Sequence, residues 1–258
     1  TAVDLKLAVA SAQVKSALLL AGLYAHGETR VTEPAPTRDH TERMLTAFGV
    51  HVGREGATAS VRGGQVLRAA RVDVPADISS AAFFLVAAAI CPGSDLVLRH
   101  VGMNPTRTGV LHVLRAMGAD ITESNPQLVG GEPVADLHVR GGRLKGITID
   151  PAWVPLAIDE FPALFIAAAC AEGVTELRGA EELRVKESDR IQVMADGLAA
   201  VGLPVTVLPD GMRIEGRGGE AHPFAGGTVE AHGDHRIAMS FTVAALRSRG
   251  PIHVRDTA

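Results

Sequence analysis

Aromatic side chains are nearly missing from this chain, at 3% of 258 residues with one Trp and one Tyr. A core must therefore be filled by Ala, Leu, Val and Ile, which a hydrophobic share of 47% allows. Cysteine is equally scarce. Cys91 and Cys170 stand at the ends of apolar stretches, which excludes a disulfide framework and a cysteine metal motif. A reduced, cytoplasmic protein is the expectation. The longest apolar run, Ala81 to Cys91, falls short of the ~20 residues that cross a bilayer. Thr1 to Lys6 carries no signal-peptide pattern, so no membrane partner is expected. An excess of positive charge is lacking too. The net charge of −4 argues against a general nucleic-acid surface. The sequence has no Walker loop and no G-x-G-x-x-G. Its ten histidines show no zinc-helix spacing with a nearby carboxylate.

What is present is a repeat. Four segments open alike: Ser11-Ala12-Gln13-Val14-Lys15, Asp77-Ile78-Ser79-Ser80, Ile158-Asp159-Glu160-Phe161 and Gly233-Asp234-His235-Arg236. Each leads into an Ala/Leu-rich stretch running to a glycine (Gly27, Gly93, Gly173, Gly250). Strand-like runs such as Thr29-Arg30-Val31 and Val174-Thr175-Glu176-Leu177 follow, and then polar helix starts at Arg38-Asp39-His40, Asn104-Pro105-Thr106-Arg107 and Val185 to Arg190. A hairpin closes each unit, with turns expected at Gly53 to Gly56, Ser124 to Pro133 and Pro209-Asp210-Gly211. Self-similarity at a fixed period is a fold-level signal. The expected fold is α/β (α+β): repeated βαβαββ units whose very apolar first helices are buried at the centre. A boundary near residue 76 predicts one unit in 1–76, and two units with the start of a third in 77–258. Thr1 in place of a start methionine, and a fourth unit that breaks off at Ala258, lead to the expectation of a piece of a longer chain.

The cations sit where a helix ought to repel them. Lys15, Arg38, Arg107, Lys186, Arg190 and Arg236 all lie near helix starts, against the dipole, and a shared anionic ligand is the economical explanation. Lys186 and Arg190 are four apart, a spacing that shares one helix face, with Glu187 adjoining. A solvated helix start fits that run as well. Asp159 and Glu160 fit ordinary helix-start carboxylates, and equally a general acid or base beside bound anions. Asp234 is read as a helix cap, His235 as a structural histidine, and Arg236 as a guanidinium suited to carboxylate or phosphate. Ser11 and Gln13 open a helix whose free N–H groups suit an anion, although Ser11 also fits a plain cap.

Taken together, these motifs resemble 5-enolpyruvylshikimate-3-phosphate synthase. The carriers are Ser11-Ala12-Gln13-Val14-Lys15, Arg38-Asp39-His40-Thr41-Glu42, Asn104-Pro105-Thr106-Arg107, Leu183 to Arg190 and Asp234-His235-Arg236-Ile237-Ala238-Met239. The first three resemble the family's second class, which is associated with glyphosate insensitivity. The resemblance implies two lobes of βαβαββ units, incomplete here at both ends, and enolpyruvyl transfer from phosphoenolpyruvate to the 5-hydroxyl of shikimate 3-phosphate, without metal or organic cofactor. It implies shikimate 3-phosphate contacts from Ser11, Ala12, Gln13, Arg38, Asp159 and Lys186, and phosphoenolpyruvate contacts from Gln13, Arg190 and Arg236. Asp159 and Glu187 would handle protons. It further implies a monomeric enzyme whose other active-site segments, including a catalytic lysine, lie outside these residues, so that the chain by itself is expected to be inactive. The alternatives are a transferase acting on UDP-N-acetylglucosamine, which would normally use a loop cysteine, and an inactive anion-binding fragment.

Overall fold

In the computed structural model, which describes residues 1–257, the chain forms two compact units. The first holds Thr1–Pro75 together with Gly102–Thr106 and Pro126–Val134. The second holds Ala76–Val101, Arg107–Asn125 and the chain from Ala135 onward.

In the first unit, β1 (Asp4–Lys6) leads to α1 (Ala12–Gly22), β2 (Glu28–Thr32), α2 (His40–Ala47) and the hairpin β3 (Val52–Glu55) and β4 (Thr58–Arg62). The sheet order is β1-β2-β4-β3, with β1 parallel to β2 and the other pairs antiparallel. Leu19 from α1, Leu23 at its C-cap and Leu45 from α2 close over Val31, Ala59 and Val61 of the sheet. Burying an aliphatic side chain of this size contributes about 1.5–3 kcal/mol. Gly22 permits the close approach, since a Cβ there would come within 2.8 Å of Thr29 Cβ and Val61 Cγ2. The turn lies at Gly56-Ala57, later than the sequence implied, because Gly53 and Arg54 are already strand.

The second unit repeats the order. Its elements are α3 (Ile78–Ile90), β5 (Asp95–Gly102), α4 (Gly109–Ala116), β6 (Asp120–Val129) and β7 (Glu132–Arg140), in a sheet ordered β5-β7-β6, except that Gly102 and the hairpin tip Pro126–Val134 belong to the first unit. The expected long turn at Ser124 to Pro133 is instead a two-residue one. Gly130 and Gly131 take φ +56° and +83°, the pair of positive values that a tight hairpin requires, and so the strands run on to meet them. Next come β8 (Leu144–Lys145), α5 (Phe161–Ala169), β9 (Ala171–Leu177), α6 (Arg190–Ala200), β10 (Thr206–Leu208) and β11 (Gly211–Arg217). Their sheet is ordered β10-β11-β9-β8. The chain continues through β12 (Gly227–Glu230), α7 (His235–Ala244) and β13 (Ile252–Arg255), with β12 and β13 parallel.

The apolar helices α3, α5 and α7 pack on one another, and every residue of α5 is buried. That helix is shorter than its sequence implied. It stops at Ala169, and Gly173, with φ +92°, already lies in β9. Cys91 and Cys170 cap α3 and α5 as free thiols, and burial pushes the Cys170 thiol up to about 12. Among the described residues no helix is long and apolar enough to cross a membrane.

Candidate active site

Within the second unit, α6 starts at Arg190 because the Asp189 side chain accepts from Gln192 N at 3.0 Å. Lys186 and Glu187 therefore precede the helix, and Lys186 is extended at φ −80°, ψ −155°. The shared helix face expected for Lys186 and Arg190 does not form. They meet instead through Asp159, whose Oδ1 lies 3.5 Å from Lys186 Nζ and 3.5 Å from Arg190 Nη1. Arg184 pins this loop to the β10–β11 hairpin, donating to Pro209 O and Leu208 O at 2.7 and 2.8 Å.

Arg190 is wholly buried. Its Nε donates to Asp234 Oδ2 at 2.8 Å, and Nη2 donates to Glu187. Asp234 does cap α7, accepting from Arg236 N at 2.9 Å, but it also accepts from Ser188 Oγ at 3.0 Å, so its role extends beyond the expected cap. Burial works to raise the Asp234 carboxyl, and Arg190 outweighs it and holds the group below its usual range. Arg236 donates from Nη1 to the backbone oxygen of Asp159 at 3.0 Å. Two cations thus meet one partly buried carboxylate, a third holds the backbone of the same residue, and the half-exposed Glu187 pairs with Arg190. His235 is exposed.

Two of the six grouped cations serve other ends. Arg107 bonds Asp77, the N-cap of α3, at 2.9 Å, and reaches Ser79 Oγ, which in turn donates to the buried Glu160. Burial raises the Glu160 carboxyl. Lys15 is fully buried between Glu33 Oε2 at 3.0 Å and Glu42 Oε1 at 2.8 Å.

In the first unit, Ser11 caps α1 by accepting from Val14 N at 3.3 Å, and Ala12 and Gln13 form a first turn that contains no acid. Arg38 lies in the loop between β2 and α2. Beside it, Asp39 accepts from Arg43 Nε, Arg54 Nη1 and Asn104 Nδ2 at 2.8, 3.0 and 2.7 Å. Burial works to raise this carboxyl, but those partners bring it from 3.8 down to about 2. A lowered carboxylate contributes stability above its unfolded value and loses it as the pH falls through the folded one. Asp39 should therefore add about 2 kcal/mol above roughly pH 4 and little near pH 2. Denaturation of the parent and of Asp39→Asn should converge over that window.

The family model for EPSP synthase (3-phosphoshikimate 1-carboxyvinyltransferase) matches residues 1–258. The chain belongs to this family. Curated 3-phosphoshikimate 1-carboxyvinyltransferases from Alkalilimnicola ehrlichii and Methylococcus capsulatus are each 65% identical over 256 residues. The matches cover 99% of this chain and 56% and 57% of those proteins. A solved EPSP synthase from Acinetobacter baumannii superposes with a TM-score of 0.96 at 60% identity, covering 100% of this chain and 59% of that one. The chain thus spans somewhat over half the length of the relatives it matches.

Two features of the site were not legible in the sequence. One is Asp234 as the main partner of Arg190, 44 residues apart. The other is the carboxylate pair around Lys15. Neither pairing has a local spacing signal, because each depends on how distant helices meet.

Proposed function

We propose that the protein transfers the enolpyruvyl group of phosphoenolpyruvate to the 5-hydroxyl of shikimate 3-phosphate and releases phosphate. The observation carrying this reading is the gathering of Lys186, Arg190 and Arg236 around Asp159 in a member of this family. Two anions must be brought together against mutual repulsion, and a fixed set of cations offsets it. Ser11, Ala12, Gln13, Arg38, Asp159 and Lys186 contact shikimate 3-phosphate, while Gln13, Arg190 and Arg236 hold phosphoenolpyruvate. The incoming anion takes the place of Glu187 on Arg190. Asp159 accepts the 5-hydroxyl proton as that oxygen attacks the enol carbon, and passes it to the phosphate as that group departs. Glu187 delivers a proton to the methylene and recovers one when phosphate leaves. Residues 1–76 contribute to an N-terminal lobe and 77–258 to a C-terminal lobe of a monomeric cytoplasmic enzyme. The motifs at Ser11, Arg38 and Asn104 support the glyphosate-insensitive class, which an inhibition titration tests.

Cys91 and Cys170 cap helices, and the relatives act on the shikimate compound by name, so UDP-N-acetylglucosamine is not favoured as acceptor. The test is phosphate release by the complete protein. It should require both phosphoenolpyruvate and shikimate 3-phosphate, and release sustained by UDP-N-acetylglucosamine instead would overturn the reading. Arg236→Ala should weaken phosphoenolpyruvate binding by about 1.5–3 kcal/mol and shikimate 3-phosphate binding by less. Separate titrations of the two ligands check this, and equal losses would remove Arg236 from the phosphoenolpyruvate site.

A further inference from the structure

The fully buried ammonium of Lys15 has no part in the reaction proposed above. It leaves α1 two residues after Gln13 and reaches two other elements at once: Glu33, where β2 gives way to the loop, and Glu42 in the first turn of α2. The loop between them, Glu33 to Asp39, carries Arg38. Both of its ends are tied. Glu33 also accepts from Thr37 Oγ1, and Glu33 N donates to Ala57 O at 3.0 Å. Asp39 is held by Arg43, Arg54 and Asn104. Arg54 Nη2 lies 3.7 Å from the Glu42 oxygen that faces Lys15, which joins the two ties into one network. Ser16 and Thr41 bridge the same two helices at 2.7 Å. A lysine excluded from water between two carboxylates is held only where its partners stay fixed. The ammonium therefore sets the distance from the α1 N-terminus to the Arg38 loop.

We infer that Lys15 is a positioning residue for shikimate 3-phosphate recognition, acting through Glu33 and Glu42 to hold Arg38 in register with Ser11 and Gln13. The inference rests on the proposed function, because it needs Arg38 to contact that ligand. Long flexible cations bind anions well only when preorganised, and a loop free to wander would lose much of what Arg38 contributes.

The test is a double-mutant cycle in the complete protein, with shikimate 3-phosphate titrated calorimetrically. Lys15→Met should raise Kd roughly tenfold, and Arg38→Ala should do so at least as strongly. Together they should cost no more than Arg38→Ala alone, because one acts through the other. Lys15→Arg should recover part of the affinity, since it restores the charge. Glu33→Gln leaves the Lys15–Glu42 pair in place and should show the same non-additivity with Arg38→Ala, which covers the case in which Lys15→Met fails to fold. Losses that simply add would overturn the inference and leave a purely structural ion pair. So would an unchanged Kd in folded Glu33→Gln, while the proposed function would stand. If Arg38→Ala itself leaves Kd unchanged, both the inference and the assigned role of Arg38 fall.

Discussion

Arg190→Met is expected to destabilise the protein by about 3–5 kcal/mol and to lower phosphate release by ~10² or more. The stability loss comes from Asp234. That carboxylate is wholly buried, receives 2.8 Å and 3.4 Å bonds from the guanidinium, and retains only Ser188 Oγ and the α7 backbone without it. An uncompensated buried charge is far more costly than the pair it belonged to. The activity loss has a separate origin, since the same guanidinium faces Asp159 and Glu187. Adding Asp234→Asn should therefore recover much of the stability and none of the activity. Chemical denaturation and initial rates on the same preparations separate the two effects. Full stability in the single variant would show that Asp234 finds another partner. Asp234, held below its usual range, also stabilises the parent above its unfolded pKa and less as the pH falls through the folded one. That acid-side slope should be absent in the single variant.

Asp159→Asn is expected to lower turnover by ~10²–10⁴ while leaving the fold intact. The backbone oxygen that anchors Arg236 is untouched, and an amide oxygen can still accept from Lys186 and Arg190. On the proposed function, the change removes the proton acceptor, and it removes one negative charge from beside Lys186 and Arg190. Phosphoenolpyruvate should accordingly bind as well as before or more tightly, so kcat should fall and KM should not rise. Steady-state kinetics decide this, and turnover close to the parent's would remove Asp159 from the proton transfer.

Helices and strands were legible in the sequence wherever period and punctuation agreed. Ser11, Asp77, Asp189 and Asp234 each stand one residue before a helix, and each makes the cap bond that its side chain suggests. Pro209-Asp210 marks its hairpin correctly. Turn length was harder to read. Glycines at 130 and 131 set a tight turn inside a stretch whose polar residues looked like a loop. Asp159, Lys186, Glu187, Arg190 and Arg236 contact one another in the second unit, although the shared helix face expected for Lys186 and Arg190 does not form. Lys15 and Arg107 looked like ligands because charge at a helix start is visible in sequence. Their carboxylate partners, Glu42 for Lys15 and Asp77 for Arg107, are 27 and 30 residues away and became visible only through packing.

The first unit is assembled from three separate stretches, and this bears on how the protein is made. Asp39 needs Asn104, His40 meets Glu132 at 2.7 Å, and Arg43 donates to Gly131 O at 3.0 Å. A ribosome adding about 5–20 residues per second needs roughly 3–12 s to travel from Pro75 to Val134. Throughout that interval the N-terminal end of α2 has neither its amide partner nor the hairpin tip, and the side chains of Asp39, His40 and Arg43 await neighbours not yet synthesised. The sheet β1-β2-β4-β3 can pair as soon as Arg62 has emerged, whereas the anchoring of the Arg38 loop cannot be completed until the chain has passed Val134. Synthesis and assembly therefore follow different orders here, and the early-made unit is finished by residues that come from the middle of the chain.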